Sequence, residues 1–405
     1  MKKYLSFAII ATSVTLSACG SGGTAASSAT NATQPTTAES QNSTTSNVVP
    51  IVIDGGPTGQ SPDNTPFVSV TVCSTNSPTN CQTIDHIILD TGSMGLRIFA
   101  SKLNSSLNLT KQTINGQTTA ECTLFGSGYD WGSIALANVK MAGEIANNVP
   151  IQIINDTSIP NVPSDCSNEG AYNDLGGANG IIGVNPLPYD QGNYYSCSGS
   201  SCTLNSSITT AQQVVSPVYE FSTDNNGVIV SLPQVSSTGP GATSLSGTLT
   251  FGIGTQSNNQ LTAQNVFTSN GTEQDGSFTT TYDGGTYDSI FDTGSTELFF
   301  DNPSNNPALT TCSDNTSFYC PSSTTTITTQ LASLNSSAGV NFNFNIINFD
   351  NFINSNPNSV VIPNAGATGG QNFFIWGLPF FYGRTVFSAF SGASTSGGTG
   401  PYFAV

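Results

Sequence analysis

The chain has 405 residues, of which 36% are hydrophobic, and it carries 24 acidic against seven basic side chains, for a formal net charge of −17 at pH 7. Such an acidic surface repels phosphate groups, which argues against nucleic acid and the face of an anionic membrane as partners. Few carboxylates can form ion pairs in this composition, so acid would break few native contacts. The charge balance suits an acid-exposed protein, and it suits equally an extracellular protein that its charge keeps soluble.

The N-terminal segment is typical of a secreted lipoprotein. Lys2 and Lys3 precede an apolar run, residues 5–16, that is too short to span a bilayer. The run leads into Ser-Ala-Cys-Gly, which resembles the bacterial lipobox, where the cysteine, here Cys19, is lipidated. We therefore predict a lipoprotein signal peptide at residues 1–18 and a lipid anchor at Cys19. The alternative is an ordinary signal peptide followed by an incidental cysteine.

The segment after the anchor, residues 19–47, predicts a flexible tether. It consists of Ser, Thr, Ala, Asn, Gln and Gly with a single charge at Glu39, so it cannot bury enough apolar surface to offset its ordering entropy. The expected location is the cell envelope, with the lipid anchor as the only membrane contact. Gly20, rather than an aspartate, follows the anchor cysteine and favours the outer membrane.

Strand signals dominate from residue 50 onward. Short runs of Val, Ile, Thr and Phe alternate with polar residues and are separated by clusters of Gly, Asn, Asp and Pro. Clear predicted strands are residues 67–72, 84–89, 133–139, 227–232 and 248–253. Short helices are predicted near residues 212–215 and 328–334, and no long amphipathic helix is predicted. The chain is therefore expected to be all-β.

Nine cysteines are present, and eight of them follow Cys19. An even number in a chain that leaves the reducing cytosol predicts disulfides, with metal ligation as the less favoured alternative. Three pairs are close in sequence and the last two cysteines would then pair across a longer stretch. The predicted bridges are Cys73–Cys81, Cys197–Cys202, Cys312–Cys320 and Cys122–Cys166.

The chain repeats one pattern at two places. Residues 87–93 read Ile-Ile-Leu-Asp-Thr-Gly-Ser, and residues 289–295 read Ser-Ile-Phe-Asp-Thr-Gly-Ser. A triplet of two apolar residues and a glycine follows each at a similar distance. These triplets are Ile181-Ile182-Gly183 and Ile375-Trp376-Gly377. The repeat predicts two related lobes, which we place at residues 48–230 and 231–405.

The repeated Asp-Thr-Gly-Ser turns are the candidate catalytic loops. Glycine permits a tight backbone path, and the hydroxyls of Ser and Thr can hydrogen-bond the carboxylate and hold it in place. One such turn is only a polar loop, whereas two, each behind an apolar strand, indicate a paired function for Asp90 and Asp292.

On these residues the chain resembles the pepsin-like, two-lobed aspartic peptidases, and the resemblance covers most of residues 63–405. It implies a cleft between two β-rich lobes, with the catalytic dyad Asp90 and Asp292 at its floor. It implies that the rest of each loop supports the dyad, namely Thr91, Gly92, Ser93, Thr293, Gly294 and Ser295. The two triplets would cross behind the loops, and residues 122–143 would form a flap hairpin over the substrate.

Two positions depart from the pattern of that family. Phe125 stands where the flap carries a tyrosine, and Arg97 stands where the first lobe carries a tryptophan that bonds this tyrosine. The flap and substrate candidates are Phe125, Gly126, Tyr129 and Trp131, of which Tyr129 and Trp131 are candidates to take over the role of the missing pair.

The resemblance implies an aspartic endopeptidase with an acidic optimum. Two carboxylates held close together cannot both ionise, so they share one proton and activate a water between them. No cofactor and no metal is expected; the expected partner is a peptide or protein substrate, and the chain is expected to be a monomer. The alternative is a catalytically silent protein of the same fold that binds peptide, glycan or protein at the cell surface. A Ser-His-Asp triad would depend on His86 alone, which we interpret as a packed strand residue.

Overall fold

The computed structural model describes residues 46–57, 59, 63–236, 239–269, 276–302, 306, 308–370 and 373–405. Strands account for 47% of the structure and helices for 9%, so the predicted all-β class is confirmed. The predicted signal peptide, Cys19 and nearly all of the predicted tether lie outside the described residues. Within the part of the chain that is described, no helix is both long and apolar enough to cross a membrane.

The strands are short, as expected where Gly, Asn, Asp and Pro clusters interrupt β-branched and aromatic runs. The first half of the chain supplies β1 Val48–Ile53, β2 Pro66–Ser74, β3 Cys81–Asp90, β4 Met94–Phe99, β5 Thr110–Lys111, β6 Thr113–Ile114, β7 Gln117–Phe125, β8 Gly128–Met141, β9 Glu144–Ile154, β10 Gly180–Val184, β11 Asn193–Ser198 and β12 Ser201–Leu204. The second half supplies β13 Gly227–Ser231, β14 Leu245–Phe251, β15 Val266–Thr268, β16 Phe278–Tyr282, β17 Gly285–Phe291, β18 Leu298–Phe299, β19 Thr325–Ala332, β20 Gly339–Ile346, β21 Gly366–Ala367, β22 Phe373–Trp376, β23 Thr385–Ala389, β24 Ser394–Thr395, β25 Gly398–Thr399 and β26 Tyr402–Ala404.

The helical segments are short connections between strands. The α-helices are α1 Ser164–Ser167, α2 Phe349–Ser355 and α3 Leu378–Phe381. Single 3₁₀ turns are formed by Ala100–Lys102, Ser105–Leu107, Leu175–Gly177, Thr210–Gln212 and Pro217–Glu220. The helix α2 begins after Asn348, whose side chain accepts a hydrogen bond from the Asn351 amide and so caps the first turn.

Two sheets carry the fold. One has 17 strands drawn from both ends of the chain, and the other has seven strands in the order β20-β19-β16-β17-β22-β18-β21. In the first sheet β3 pairs in parallel with β10, and in the second β17 pairs in parallel with β22. The strand before each Asp-Thr-Gly-Ser loop is therefore paired with the strand that carries the corresponding triplet.

The strands predicted at residues 67–72, 84–89 and 133–139 are confirmed within β2, β3 and β8. Those predicted at 227–232 and 248–253 are confirmed as β13 and β14, which end one and two residues earlier than predicted. The helix predicted near residues 328–334 is wrong, because most of this segment lies in β19. Buried and exposed residues alternate along β19, which pairs with β16 on one side and β20 on the other. Near residues 212–215 the predicted short helix is confirmed only as the single 3₁₀ turn Thr210–Gln212. The predicted lobe boundary at residues 230 and 231 falls inside β13, and the division into lobes stays a prediction.

All four predicted disulfides are confirmed: Cys73–Cys81, Cys122–Cys166, Cys197–Cys202 and Cys312–Cys320. Three of them close short loops. The fourth joins the hairpin strand β7 to α1 across a separation of 44 residues.

Candidate active site

The two Asp-Thr-Gly-Ser loops lie at the ends of buried strands. Asp90 is the last residue of β3, and Asp292 directly follows β17. The residues before each aspartate are buried, because these strands are covered on both faces. Both aspartates are themselves 0% exposed. Strands anchored by such burial hold the loops rigidly, which a catalytic site requires.

Reciprocal hydrogen bonds join the loops. The backbone nitrogen of Thr91 donates to Thr293 Oγ1 at 3.0 Å, and the backbone nitrogen of Thr293 donates to Thr91 Oγ1 at 2.9 Å. Each hydroxyl then donates to the strand of the opposite loop, Thr91 to the Phe291 carbonyl at 2.7 Å and Thr293 to the Leu89 carbonyl at 2.6 Å. Residues 202 positions apart are thus fixed side by side.

Each aspartate is held by its own loop in the same way. The Gly92 amide donates to Asp90 Oδ1 at 2.7 Å, and the Ser93 hydroxyl donates to Asp90 Oδ2. The second loop repeats this pattern, with Gly294 donating to Asp292 Oδ1 at 2.8 Å and Ser295 donating to Asp292 Oδ2 at 2.6 Å. Hydroxyl and amide donors therefore fix both oxygens of each carboxyl group.

The two carboxyl groups lie against each other. Asp90 and Asp292 are joined by a side-chain hydrogen bond. The contact is reciprocal, since a Cβ on Gly92 would lie 2.5 Å from Asp292 Cγ and a Cβ on Gly294 would lie 2.6 Å from Asp90 Oδ1. Only glycine permits this approach of each backbone to the opposite carboxyl group.

Burial is the largest cause that raises the pKa values of this pair. It raises the pKa of Asp90, although the hydrogen bonds from Asp292 and Ser93 act in the opposite direction. It raises the pKa of Asp292 well above its usual value, and the neighbouring charge of Asp90 raises it further. Two carboxyl groups in this relation share one proton and titrate as a pair.

The two glycine triplets lie directly behind the loops. In β10, Gly183 pairs with Asp90 on one side and with Gly95 on the other, and Ile181 and Ile182 are fully buried. A Cβ on Gly183 would overlap the backbone between Ser93 and Met94. On the other side, Ile375 and Trp376 in β22 are fully buried, and a Cβ on Gly377 would lie 2.6 Å from the Ser295 carbonyl oxygen. Both triplets therefore pack directly against the backbone of the loops.

The predicted flap forms a long hairpin of β7 and β8, with Gly126 and Ser127 between the strands. Phe125, at the end of β7, is buried with Phe67, Ile88, Leu175 and Ile181, beside the strand that ends in Asp90. The phenylalanine thus places apolar surface next to the first loop.

The other two flap candidates lie elsewhere on the hairpin. Tyr129 packs edge-on against Tyr172, at a centroid distance of 6.2 Å. Trp131 packs edge-on against Tyr195, and its indole nitrogen donates to the Pro160 carbonyl at 3.1 Å. The structure therefore brings Phe125 towards the first loop, and it gives Trp131 partners away from it.

A buried charged group at the base of this hairpin was not predicted from the sequence. Arg97, in β4, donates to Thr123 and Glu121 of β7 and to Asp190 in the loop after β10. The carboxyl group of Asp130, in β8, is fully buried nearby. The sequence carries no local signal for this cluster, because its members lie on β4, β7 and β8 and in the loop after β10.

Among the residues that the structure describes, metal-ligand residue types come together at Cys312, Cys320 and Asp350. The two sulfur atoms are bonded to each other in a disulfide, so they cannot act as thiolate ligands.

Comparison with known proteins gives a family and no activity. No curated protein matches the chain. A family profile described as "protein of unknown function (DUF3443)" matches residues 43–405, which is nearly all of the chain after the predicted leader and tether. The chain therefore belongs to the DUF3443 family.

Proposed function

We propose that this protein is an aspartic endopeptidase with the two-lobed, pepsin-like fold, and that Asp90 and Asp292 form its catalytic dyad. The observation that carries the proposal is the direct contact of these two buried carboxyl groups, each hydrogen-bonded by its own Gly and Ser. A structural ion pair would need a cation, whereas this pair consists of two acids. Two buried acids in contact lower the stability of the fold, because burial disfavours the charged form of both. A catalytic role accounts for their presence.

The duplicated architecture supports the fold assignment. Both loops follow a buried strand, both strands pair in parallel with a triplet strand, and the two threonines bond across in both directions. A hairpin with apolar surface beside the first loop supports the assignment of a flap. The all-β content agrees with this fold class.

The chemistry follows from one shared proton. The ionised carboxylate accepts a proton from a bound water as the water oxygen attacks the amide carbon, and the protonated carboxyl group donates its proton to the carbonyl oxygen. The C–N bond then breaks as the amine nitrogen takes the proton that the dyad gained from water, while a hydroxyl group of the tetrahedral diol returns its proton to the other carboxylate. The amine and the carboxylic acid leave, and the dyad again holds a single proton. The donors Ser93 and Ser295 hold the outer carboxylate oxygens throughout. The expected rate is highest at acidic pH, because the raised pKa values of the pair keep the shared proton in place there and it is lost as the pH rises.

The test is cleavage by the purified protein. Denatured protein and peptide libraries are incubated from pH 2 to pH 7, with and without a statine-type inhibitor, using the wild type, Asp90→Asn, Asp292→Asn and the exposed control Asp314→Asn. We expect acid-dependent cleavage that each dyad variant lowers by about 10²–10⁴-fold or more and that the control retains. Absence of cleavage by the folded wild type over this range would overturn the proposal, and peptide binding without cleavage would identify a binding protein of the same fold.

We also propose that Cys19 carries a lipid and that the protein is held at the cell envelope as a monomer. Metabolic labelling with a radioactive fatty acid tests the anchor. Label in the wild type and none in Cys19→Ala would support it, and equal label in both would exclude it.

A further inference from the structure

The base of the hairpin β7–β8 is tied to the first catalytic loop by a single buried side chain. Arg97 is 1% exposed and lies in β4, the strand that leaves the Asp90 loop. Its Nε donates to Thr123 Oγ1 at 3.0 Å and its Nη2 donates to Glu121 Oε1 at 3.0 Å, both on β7. Its Nη1 donates to the carbonyl oxygen of Met94, the residue directly after Ser93. One guanidinium group thus contacts both the hairpin and the end of the catalytic loop.

A third element is bound by the same guanidinium group. Nη2 also donates to Asp190 Oδ2 at 2.6 Å, in the loop after the triplet strand β10. The other oxygen of Asp190 accepts from the Tyr194 hydroxyl at 2.7 Å, and that hydroxyl accepts from the Val214 amide at 2.6 Å. The anchor of Arg97 is therefore itself fixed to the body of the protein.

The hairpin side of the contact is reinforced in turn. Thr123 Oγ1 donates to Gln152 Oε1 at 3.2 Å, and Gln152 Nε2 donates to the Glu121 carbonyl at 3.0 Å, which ties β7 to β9. The guanidinium carbon of Arg97 also lies 5.9 Å from the ring centroid of Phe125, near the hairpin tip. Such a planar group with five donors can hold several strands at once, which a lysine cannot do.

In this cluster the positive charge of Arg97 faces three buried acids. Glu121, Asp130 and Asp190 are all buried around it, and Arg97 is the cation that lowers the pKa of Glu121 and of Asp130. Burial is the larger effect and raises the pKa of both carboxyl groups well above their usual values. Arg97 Nη2 lies 3.0 Å from Glu121 Oε1 and 2.6 Å from Asp190 Oδ2, so one nitrogen contacts both carboxyl groups. Burying several acids around one guanidinium group costs desolvation energy that their attraction does not fully offset. We therefore interpret the cluster as positioning the hairpin.

We propose that Arg97 is a positioning residue that sets the height of the hairpin over the two aspartates through its bonds to Thr123 and Glu121. This inference rests on the proposed peptidase function. Thr123 and Glu121 lie two and four residues before Phe125, the last residue of β7, so Arg97 holds the strand that leads to the hairpin tip.

The experiment uses the whole protein and three variants. Arg97→Gln removes the cation, Thr123→Val removes only one bond to the hairpin, and Arg97→Lys keeps the charge but loses the fork of donors. Amide hydrogen exchange in β7 and β8 is compared with exchange in β13 and β14, which Arg97 does not contact. KM and kcat for a peptide substrate are measured in parallel.

We expect exchange in β7 and β8 to become faster by about tenfold or more in Arg97→Gln and by less in Thr123→Val, with β13 and β14 unchanged. We expect kcat/KM to fall by about 10- to 100-fold in Arg97→Gln, with KM raised, and only partial recovery in Arg97→Lys. Should Arg97→Gln not fold, the mild variant Thr123→Val decides the matter. Unchanged exchange in the hairpin of a folded variant, or equal acceleration in all four strands, would overturn the inference. A wild type that cleaves no substrate would contradict the proposed peptidase function. The exchange measurement would still test whether Arg97 positions the hairpin.

Discussion

Thr91 and Thr293 each accept a hydrogen bond from the backbone amide of the other, at 2.9 and 3.0 Å, and each hydroxyl donates to the strand that precedes the opposite loop. Replacing either threonine by valine keeps the shape but leaves a buried amide and a buried carbonyl without their partner. We expect Thr91→Val and Thr293→Val each to lower the free energy of unfolding by about 1–3 kcal/mol, measured by urea denaturation.

The matched control is Thr71→Val, since Thr71 bonds Thr83 at 2.8 Å on the exposed surface. Its expected effect is within about 0.5 kcal/mol. If the two loop variants were as stable as this control, the reciprocal bonds would not hold the loops together.

The contact between each glycine and the opposite carboxyl group predicts a steric effect on the dyad. An added methyl group at Gly92 would lie 2.5 Å from Asp292 Cγ, and one at Gly294 would lie 2.6 Å from Asp90 Oδ1. We expect Gly92→Ala and Gly294→Ala to separate the carboxyl groups and to lower acid-dependent cleavage by about 10²-fold or more, assayed on a peptide substrate.

Gly116→Ala serves as the comparison, because Gly116 has open space around it but a positive φ of 79°. It is expected to lose about 1–2 kcal/mol of stability and to keep full activity. Full activity in Gly92→Ala would show that the two acids need not touch for cleavage.

Glu297, two residues after Ser295, is a buried acid that predicts a loss of stability towards neutral and alkaline pH. It is 1% exposed, and burial is the largest cause that raises its pKa from 4.5 to about 8, with the nearby charge of Asp63 adding to it. The folded protein therefore binds this proton more tightly than the unfolded chain does. The free energy of unfolding is highest below about pH 4.5, and it falls as the pH rises to about 8, by an amount on the order of 5 kcal/mol.

Urea denaturation of the wild type and Glu297→Gln at unit steps from pH 4 to pH 9 measures this effect. The stability of the wild type should fall relative to that of Glu297→Gln across the window, because glutamine cannot ionise. The exposed Glu169→Gln is the control and should follow the wild type. Parallel curves for Glu297→Gln and the wild type would contradict the assigned pKa.

The two loops could be predicted from the sequence because the signal is local and repeated. An apolar strand followed by Asp-Thr-Gly-Ser needs no knowledge of the rest of the chain. Three of the disulfides followed from short spacings between cysteines, and Cys122–Cys166 followed because these two cysteines remained. The strand β19 was predicted as a helix, because its apolar residues Ile327 and Leu331 are four positions apart, a spacing that also fits one face of a helix. Its pairing with β16 and β20 decides the structure.

The cluster around Arg97 could not be predicted from sequence for a different reason. Its members are brought together by the pairing of β7, β4 and the loop after β10, which lie far apart in the chain. A lone arginine, glutamate or aspartate in a polar-rich sequence is usually solvated, so its burial is a property of the folded chain alone.

The longest disulfide loop predicts the largest stabilisation. Cys122–Cys166 closes a separation of 44 residues and joins the hairpin to α1, whereas Cys197–Cys202 closes a separation of five residues within the paired strands β11 and β12. A cross-link that restricts a longer loop removes more entropy from the unfolded chain. The expected losses in the free energy of unfolding are about 4 kcal/mol for the double variant Cys122→Ala/Cys166→Ala and about 2 kcal/mol for Cys197→Ala/Cys202→Ala. Urea denaturation of both variants without reductant measures the difference.

Because Cys122 faces Trp131 across the hairpin, loss of the Cys122–Cys166 bridge should also speed amide exchange in β7 and β8, while loss of the Cys197–Cys202 bridge should not. Equal losses in the two variants would mean that native contacts, and not loop length, set the contribution of each bridge.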